Sequence, residues 1–331
     1  MNRREIIAGA TALAACGPAE SEATAAPFPM RRGVNLGNAL EAPNEGEWGY
    51  RIETDHLNAI AAGGFDGVRV PVRWDRADVQ GVGNLPLGLM SRVIDVCAEA
   101  LNAGLKVQLD LHHYDAFIAA GPQSPHRAHF LAVWRRIAAT FSAASDQLIF
   151  EPLNEPNGPL WTAQALRELQ AEVVAIIRES NPDRLIVLGP GNWQNIDALR
   201  DWRPPEGENI AVSVHYYEPH AFTHQGAEWL GADAPRFDRE WGTPADVAAV
   251  TAHIARAADW GRAHGFAMQL GEFGVNARVP LVQRAAWTRA VREACDAHGM
   301  GWCVWDFAGA FPVWDREQQA FVPELLRALT S

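Results

Sequence analysis

The fold class this sequence predicts is a single-domain (β/α)8 barrel. Two observations carry it: eight short apolar runs recur along the chain, and longer amphipathic stretches separate them. The runs lie at 32–36, 67–70, 106–111, 148–150, 185–188, 210–215, 268–271 and 302–305. They are too short for buried helices and read as strands. Helical patterns fall between them at 51–62, 89–103, 127–143, 163–179, 195–201, 244–264 and 281–298, with a last one at 323–329. Asn181-Pro182 stops the fourth of these, and Gly104, Gly265 and Gly299 stand where C-terminal caps are expected. Strands that alternate with helices pair in parallel through right-handed crossovers. Eight of them fit a closed barrel better than an open doubly wound sheet. The open sheet would also want a Gly-rich phosphate turn, and Gly33-Val34-Asn35-Leu36-Gly37-Asn38 lacks the glycine spacing.

Composition narrows the function. The chain has 331 residues, 48% hydrophobic and 21% charged, enough for one large core. A net charge of −12, with Lys106 as the only lysine, argues against nucleic acid as a partner. The 13 tryptophans are many, and several fall in segments that read as loops. A loop tryptophan needs a flat apolar partner, such as a sugar face, or a place over the core edge.

The first residues read as an export leader, residues 1–15. Asn2-Arg3-Arg4-Glu5 supplies a positive start, and 6–15 is an apolar stretch too short to remain as a membrane span. Leu13-Ala14-Ala15-Cys16 looks like a bacterial lipobox, which implies cleavage before Cys16 and a lipid on its sulfur. The paired arginines resemble a twin-arginine leader, with general secretory export the alternative. Residues 16–29 then form the lipidated cysteine and a tether rich in Ala, Pro, Glu and Ser, and the barrel domain is expected over 30–331. The protein is thus expected on a membrane facing the periplasm or cell surface, as a monomer. Cys97, Cys295 and Cys303 read as small buried residues; a Cys295–Cys303 bridge is the minority case.

In such a barrel the active groups come from the C-terminal strand ends. Read in order, those ends carry Asn35, Arg69, His112, Asn154-Glu155, His215 with Tyr217, Glu272, and Trp305-Asp306. Each also has a bland reading. Glu155, after Phe150-Glu151-Pro152-Leu153, could be a solvated acid in a Pro-rich turn. Arg69, between Val68 and Val70, demands a carboxylate partner, and Glu272 could be merely that partner. His112 could be a satisfied core histidine; His113, His126 and His129 read as structural or surface groups. Seven strand ends converging on one face of one barrel favour a site.

The stretches Gly67-Val68-Arg69-Val70-Pro71, Leu109-Asp110-Leu111-His112-His113, Leu153-Asn154-Glu155-Pro156, His215-Tyr216-Tyr217, Gly271-Glu272-Phe273-Gly274 and 302–307 together resemble glycoside hydrolase family 5, the cellulase family. The resemblance covers nearly all of 30–331. It implies a retaining glycosidase with Glu272 as nucleophile and Glu155 as acid, then base, their carboxyl groups about 5–5.5 Å apart. It implies that Arg69 and Tyr217 stabilise ionised Glu272, and that Asn154 binds the sugar 2-hydroxyl. His112 and His215 would bond to sugar or carboxylate, and Trp305 would floor the subsite of the distorted ring. Asn35 joins the substrate-binding set, with Trp193, Trp229 and Trp241 as sugar platforms; Trp48, Trp161 and Trp314 share their predicted side of the barrel. No metal or organic cofactor is needed. Glu151 reads as structural, near the barrel wall, and the long 216–242 stretch as a substrate-binding loop.

The expectation is therefore an endo-acting β-1,4-glucanase. β-Mannan, xyloglucan, mixed-linkage glucan or exo-acting glucosidase activity are the enzyme alternatives, and a non-catalytic carbohydrate-binding barrel is the rival from another class.

Overall fold

The computed structural model describes residues 26–77 and 87–331. The leader, Cys16 and the tether up to residue 25 lie outside the described residues. Eight parallel strands close a barrel in sequential order: β1 (Arg32–Asn35), β2 (Gly67–Val72), β3 (Lys106–Leu111), β4 (Leu148–Glu151), β5 (Ile186–Leu188), β6 (Ile210–Tyr216), β7 (Met268–Phe273) and β8 (Gly301–Val304). The seam between β1 and β8 pairs Val34 with Val304. The single-domain (β/α)8 barrel expected from the sequence is the fold observed.

The helices are α1 (Thr54–Ala62), α2 (Leu87–Asn102), α3 (Asp115–Ala120), α4 (His126–Thr140), α5 (Ala163–Arg178), α6 (Gly191–Gln194, a single turn that is left-handed from Asn192 on), α7 (His220–Thr223), α8 (Pro244–His264), α9 (Leu281–Ala297) and α10 (Pro323–Thr330). Local chemistry fixes their ends. The Thr243 hydroxyl accepts from the Asp246 amide, and Asp246 returns a bond to the Thr243 backbone N–H, a capping box with Pro244 in the first turn. Gly265 closes the same helix at φ 73°, where a Cβ would be strained. The short α3 and α7, and the small antiparallel pair β9 (Trp314–Asp315) and β10 (Ala320–Phe321), have no counterpart in the sequence reading. None is long enough to show a period. Among the described residues no helix is long and apolar enough to cross a membrane.

Inward-facing positions divide the barrel interior into two halves. Near the strand starts the lining is apolar: Ile149, Val187, Ala211 and Cys303 pack with Phe28 and Met30. Phe28, assigned to the tether on sequence, is instead fully buried, so the barrel domain begins before residue 30. It and Met30 fill the room left by glycines, since a Cβ on Gly301 would lie 2.7 Å from Phe28 and one on Gly67 2.7 Å from Met30. Toward the strand ends the same positions become polar: Asn35, Arg69, Gln108, Asp110, Glu151, Ser213 and His215, all buried. Cys97, Cys295 and Cys303 are buried free thiols.

One irregularity lies near the end of β6. Its pairing with β7 shifts between Val214 and His215, so that His215 faces Glu272 and not Gly271. Gly271 already points inward, a Cβ there lying 2.4 Å from the Ser213 hydroxyl. Strict alternation would send Glu272 outward. The bulge turns it in as well.

Candidate active site

Arg69 is the hub of the polar half. An arginine held between Val68 and Val70 with no exposure must be fully partnered. Its Nε donates to Glu151 at 2.6 Å and its Nη2 to the other Glu151 oxygen at 3.1 Å. Nη1 donates to Glu272 at 2.7 Å and to Asn35 Oδ1 at 3.0 Å. Nη2 also reaches Asn154 Oδ1 at 2.7 Å and Asp110 at 3.0 Å. One planar guanidinium therefore ties together β1, β2, β3, β4 and β7, a geometry lysine could not supply.

Asn35 is part of this frame and not a substrate contact, correcting the sequence assignment. It has no exposure, and its amide donates to the Gly271 carbonyl at 3.0 Å. Glu151, expected near the wall, is buried, bonded to Arg69 and reached by Gln108 at 2.7 Å.

Above the frame sit the two glutamates. Glu272 receives Arg69 on one oxygen and the Tyr217 hydroxyl, at 2.9 Å, on the other. Glu155 keeps 26% of its side chain exposed and lies 2.8 Å from His215 Nδ1, with one proton shared between them. Ligand atoms of Glu155, His215 and Glu272 all lie within 4.8 Å of one another. That separation leaves no room for a water between sugar and carboxylate, which inversion would require at about 6.5–9.5 Å.

Burial raises the pKa of both acids, but their partners differ. Glu155 is pushed up to about 7 by burial, with Arg69 opposing and Glu151 adding to the rise. Glu272 is also raised by burial, with Glu155 adding to the rise, while Arg69 and the Tyr217 hydroxyl pull it back down. As a pair the two share charge unequally: the negative charge settles on Glu272, with its two donors, and the proton on Glu155. Burial lowers His215 to about 4, so its imidazole is neutral near pH 7. Tyr217 is held well above its ordinary value by burial and the nearby Glu272, which keeps it a donor.

His112 fills the floor. Its Nδ1 is 2.6 Å from Asp110, its Nε2 is 3.4 Å from the Asn154 amide, and its ring lies parallel to Trp305 with centroids 5.5 Å apart. Trp305 can approach this closely because Gly37 has no side chain; a Cβ there would sit 2.9 Å from the indole. Asp306 holds the following loop, accepting from Gly309 N at 3.1 Å and Phe311 N at 3.3 Å and from the Asn38 amide.

A cavity of about 570 Å³ opens beside Glu155, walled by His113, Asp115, Asn157, Leu160 and Trp193. Trp193 is 53% exposed on this wall. Trp229, 57% exposed, lies across the site, 5.7 Å from Phe311, which is itself 5.9 Å from Tyr217. Trp48 is 43% exposed, edge-on to His113. Trp241, expected as a platform, is instead buried and stacks on Phe222; Trp161 and Trp314 are buried too. The loop that carries Trp241 folds back onto the barrel, so its tryptophan covers core. Gln194, which carries no signal in the sequence, lies fully buried directly under Glu155.

Known proteins share this fold. The family model described as cellulase, glycosyl hydrolase family 5, matches residues 23–310. A structure of Cel5A from Thermotoga maritima in complex with cellobiose superposes with a TM-score of 0.87 at 34% identity, over 91% of this chain and 97% of that one. The cellulose synthase subunit Z from Clostridioides difficile gives 0.87 at 32% identity, over 91% of this chain and 100% of that one. Endoglucanase H of Acetivibrio thermocellus is 29% identical over 94% of this chain, and the chain spans 34% of that relative's length. With the barrel, the paired glutamates and the family match in agreement, this chain belongs to the cellulase family, glycosyl hydrolase family 5.

Proposed function

We propose that the protein is a retaining endo-β-1,4-glucanase. The observation that carries this is the spacing of Glu155 and Glu272, within 4.8 Å, with the charge biased to Glu272 and the proton to Glu155. Glu272 attacks the anomeric carbon while the glycosidic C–O bond breaks, and Glu155 delivers its proton to the departing oxygen. Once Glu272 is esterified its charge is gone, and Glu155 becomes the base that takes a proton from water. The water oxygen displaces Glu272, and the sugar keeps its anomeric configuration.

In this reading Arg69 and Tyr217 hold Glu272 ionised and aimed, and Asn154, fixed by Arg69, meets the 2-hydroxyl. Trp305 over His112 floors the subsite of the distorted ring. The cavity beside Glu155 takes the leaving sugar, with Trp193 as its platform. Glucan as substrate is supported by a similar hyperthermophilic endo-beta-1,4-glucanase solved in complex with substrate, at 32% identity, and by Cel5A in complex with cellobiose. Manno-oligosaccharides are the second reading, because the same Thermotoga maritima enzyme has also been solved with mannotriose.

The decisive experiment is a product profile on cello-, manno- and mixed-linkage oligosaccharides, with the first-formed anomer read by NMR. Internal cleavage of cello-oligosaccharides with retained β-configuration is expected. An inverted first product overturns the mechanism, and cleavage of manno-oligosaccharides alone overturns the substrate. Glu272→Ala should abolish hydrolysis, with azide restoring turnover to an inverted glycosyl azide; rescue at Glu155 and not at Glu272 would exchange the two roles.

The leader belongs to the same proposal. Its lipobox-like Leu13-Ala14-Ala15-Cys16 supports an exported enzyme held on a bacterial membrane through Cys16. We take the working unit to be one chain; light scattering at twice the chain's mass would exclude that.

A further inference from the structure

We infer that Gln194 is a positioning residue for Glu155, setting the direction in which the acid presents its proton. This rests on the acid/base reading of Glu155 under the proposed function.

Three observations lead to it. Glu155 adopts φ 44°, a left-handed conformation that side chains other than glycine's seldom take. A residue stays there only when its surroundings hold it. The Glu155 amide N–H donates to Gln194 Oε1 at 2.8 Å, a bond that pins the main chain at this residue. Gln194 is completely buried, and its Nε2 lies 3.4 Å from Glu151, which Arg69 clamps in turn. Through this side chain the backbone of Glu155 is referred to the same frame that aims Glu272.

The segment that delivers Gln194 is itself unusual. Asn192, Trp193 and Gln194 have φ of 55°, 57° and 54°, three left-handed residues in succession. Trp193 N donates to the Pro156 carbonyl, one residue past Glu155, at 3.3 Å. Asn195 then forms an isolated parallel bridge to His215, whose Nδ1 faces Glu155. The strained turn thus touches the Glu155 loop at two points and the His215 strand at a third. It also sends Trp193 outward to the cavity while Gln194 goes inward. A simple packing glutamine would not need its amide oxygen on the one backbone N–H beneath the acid.

The test exploits the chemistry of the leaving group. A misdirected acid slows cleavage of a bond whose oxygen needs a proton and leaves an activated phenolate nearly unaffected. The variant is Gln194→Met, which keeps length and removes the acceptor, assayed by kcat/KM on phenyl and 2,4-dinitrophenyl β-cellobioside. Misplacement by about 1 Å can cost on the order of 100-fold. We expect a loss of roughly 10- to 100-fold on the phenyl substrate and less than about threefold on the dinitrophenyl one. An equal loss on both substrates, or none on either, overturns the inference.

Gly189→Ala gives a second route and carries the same test should Gln194→Met fail to fold. A Cβ on Gly189 would lie 2.4 to 2.6 Å from three atoms of the Gln194 side chain and push it aside without altering its chemistry. Its loss should be graded in the same way. Glu155→Ala, run alongside, separates the two claims. If it shows no dependence on leaving group, the acid/base reading fails; if it does and Gln194→Met does not, only the role of Gln194 falls.

Discussion

Replacing Arg69 by methionine removes the one cation shared by three buried acids. Glu151 loses bonds of 2.6 and 3.1 Å, Glu272 one of 2.7 Å, and Asp110 an ion pair at 3.0 Å. The side chains of all three are at most 6% exposed, so water cannot replace the guanidinium. Breaking a buried pair from one side costs about 3–5 kcal/mol, against a typical total stability of about 5–15 kcal/mol. The cost should depend on pH. In the parent, burial pushes Glu151 up, but Arg69 more than offsets it and holds the carboxyl below the usual range. That contribution is present above the unfolded pKa and is lost as pH falls through the folded one. Asp110 and Glu272 are raised by burial even in the parent, and without Arg69 they rise further and Glu151 joins them, so the folded variant binds more protons and its stability falls as pH rises. Urea unfolding followed by tryptophan fluorescence should give a loss of about 3–5 kcal/mol at pH 8 and clearly less at pH 5. A loss under about 1 kcal/mol, or one equal at both pH values, would refute the shared-cation account.

Other outcomes come from the same geometry. Since Glu155 is raised to about 7 and must be protonated to act, kcat/KM on unactivated cello-oligosaccharides should decline as pH rises through about 7; a profile flat to pH 9 would contradict this. Trp193→Ala should raise KM for longer oligosaccharides roughly fivefold, about 1 kcal/mol of stacking, without moving the thermal midpoint, because the ring is half exposed. An unchanged KM would leave the ring no part in binding. Cys16→Ser should move the protein from the membrane to the soluble fraction; unchanged fractionation would remove the lipid anchor from the proposal.

The barrel was legible because strand alternation and helix caps are local, and each of the eight predicted runs is a strand of the barrel. Site residues were legible where a polar group interrupts an apolar run, as Arg69 does between Val68 and Val70. Exposure was harder to read. Asn35 and Trp241 stand in places where substrate contact was expected, yet one is sealed beneath Arg69 and the other under its own loop. Which side of a loop a tryptophan faces depends on how the loop folds back, and no periodicity encodes that. Gln194 is not legible in the sequence, because its importance lies in a bond to a distant main-chain N–H. The one hint was Gly191-Asn192, since asparagine tolerates the left-handed conformation that the turn begins with. The inward turn of Glu272 was equally hidden, because it depends on a register shift between two strands and not on either strand alone.

The apolar stopper formed by Phe28 and Met30 also orients the molecule. Both residues sit under the strand starts, and the cleft lies at the strand ends, so the chain enters the barrel at the pole opposite the catalytic mouth. Anything attached upstream of residue 26 therefore pulls from the molecule's underside. A lipid on Cys16, as proposed, would thus be joined to the barrel at the pole away from the mouth, and the first described residues leave the cleft between the strand ends unobstructed.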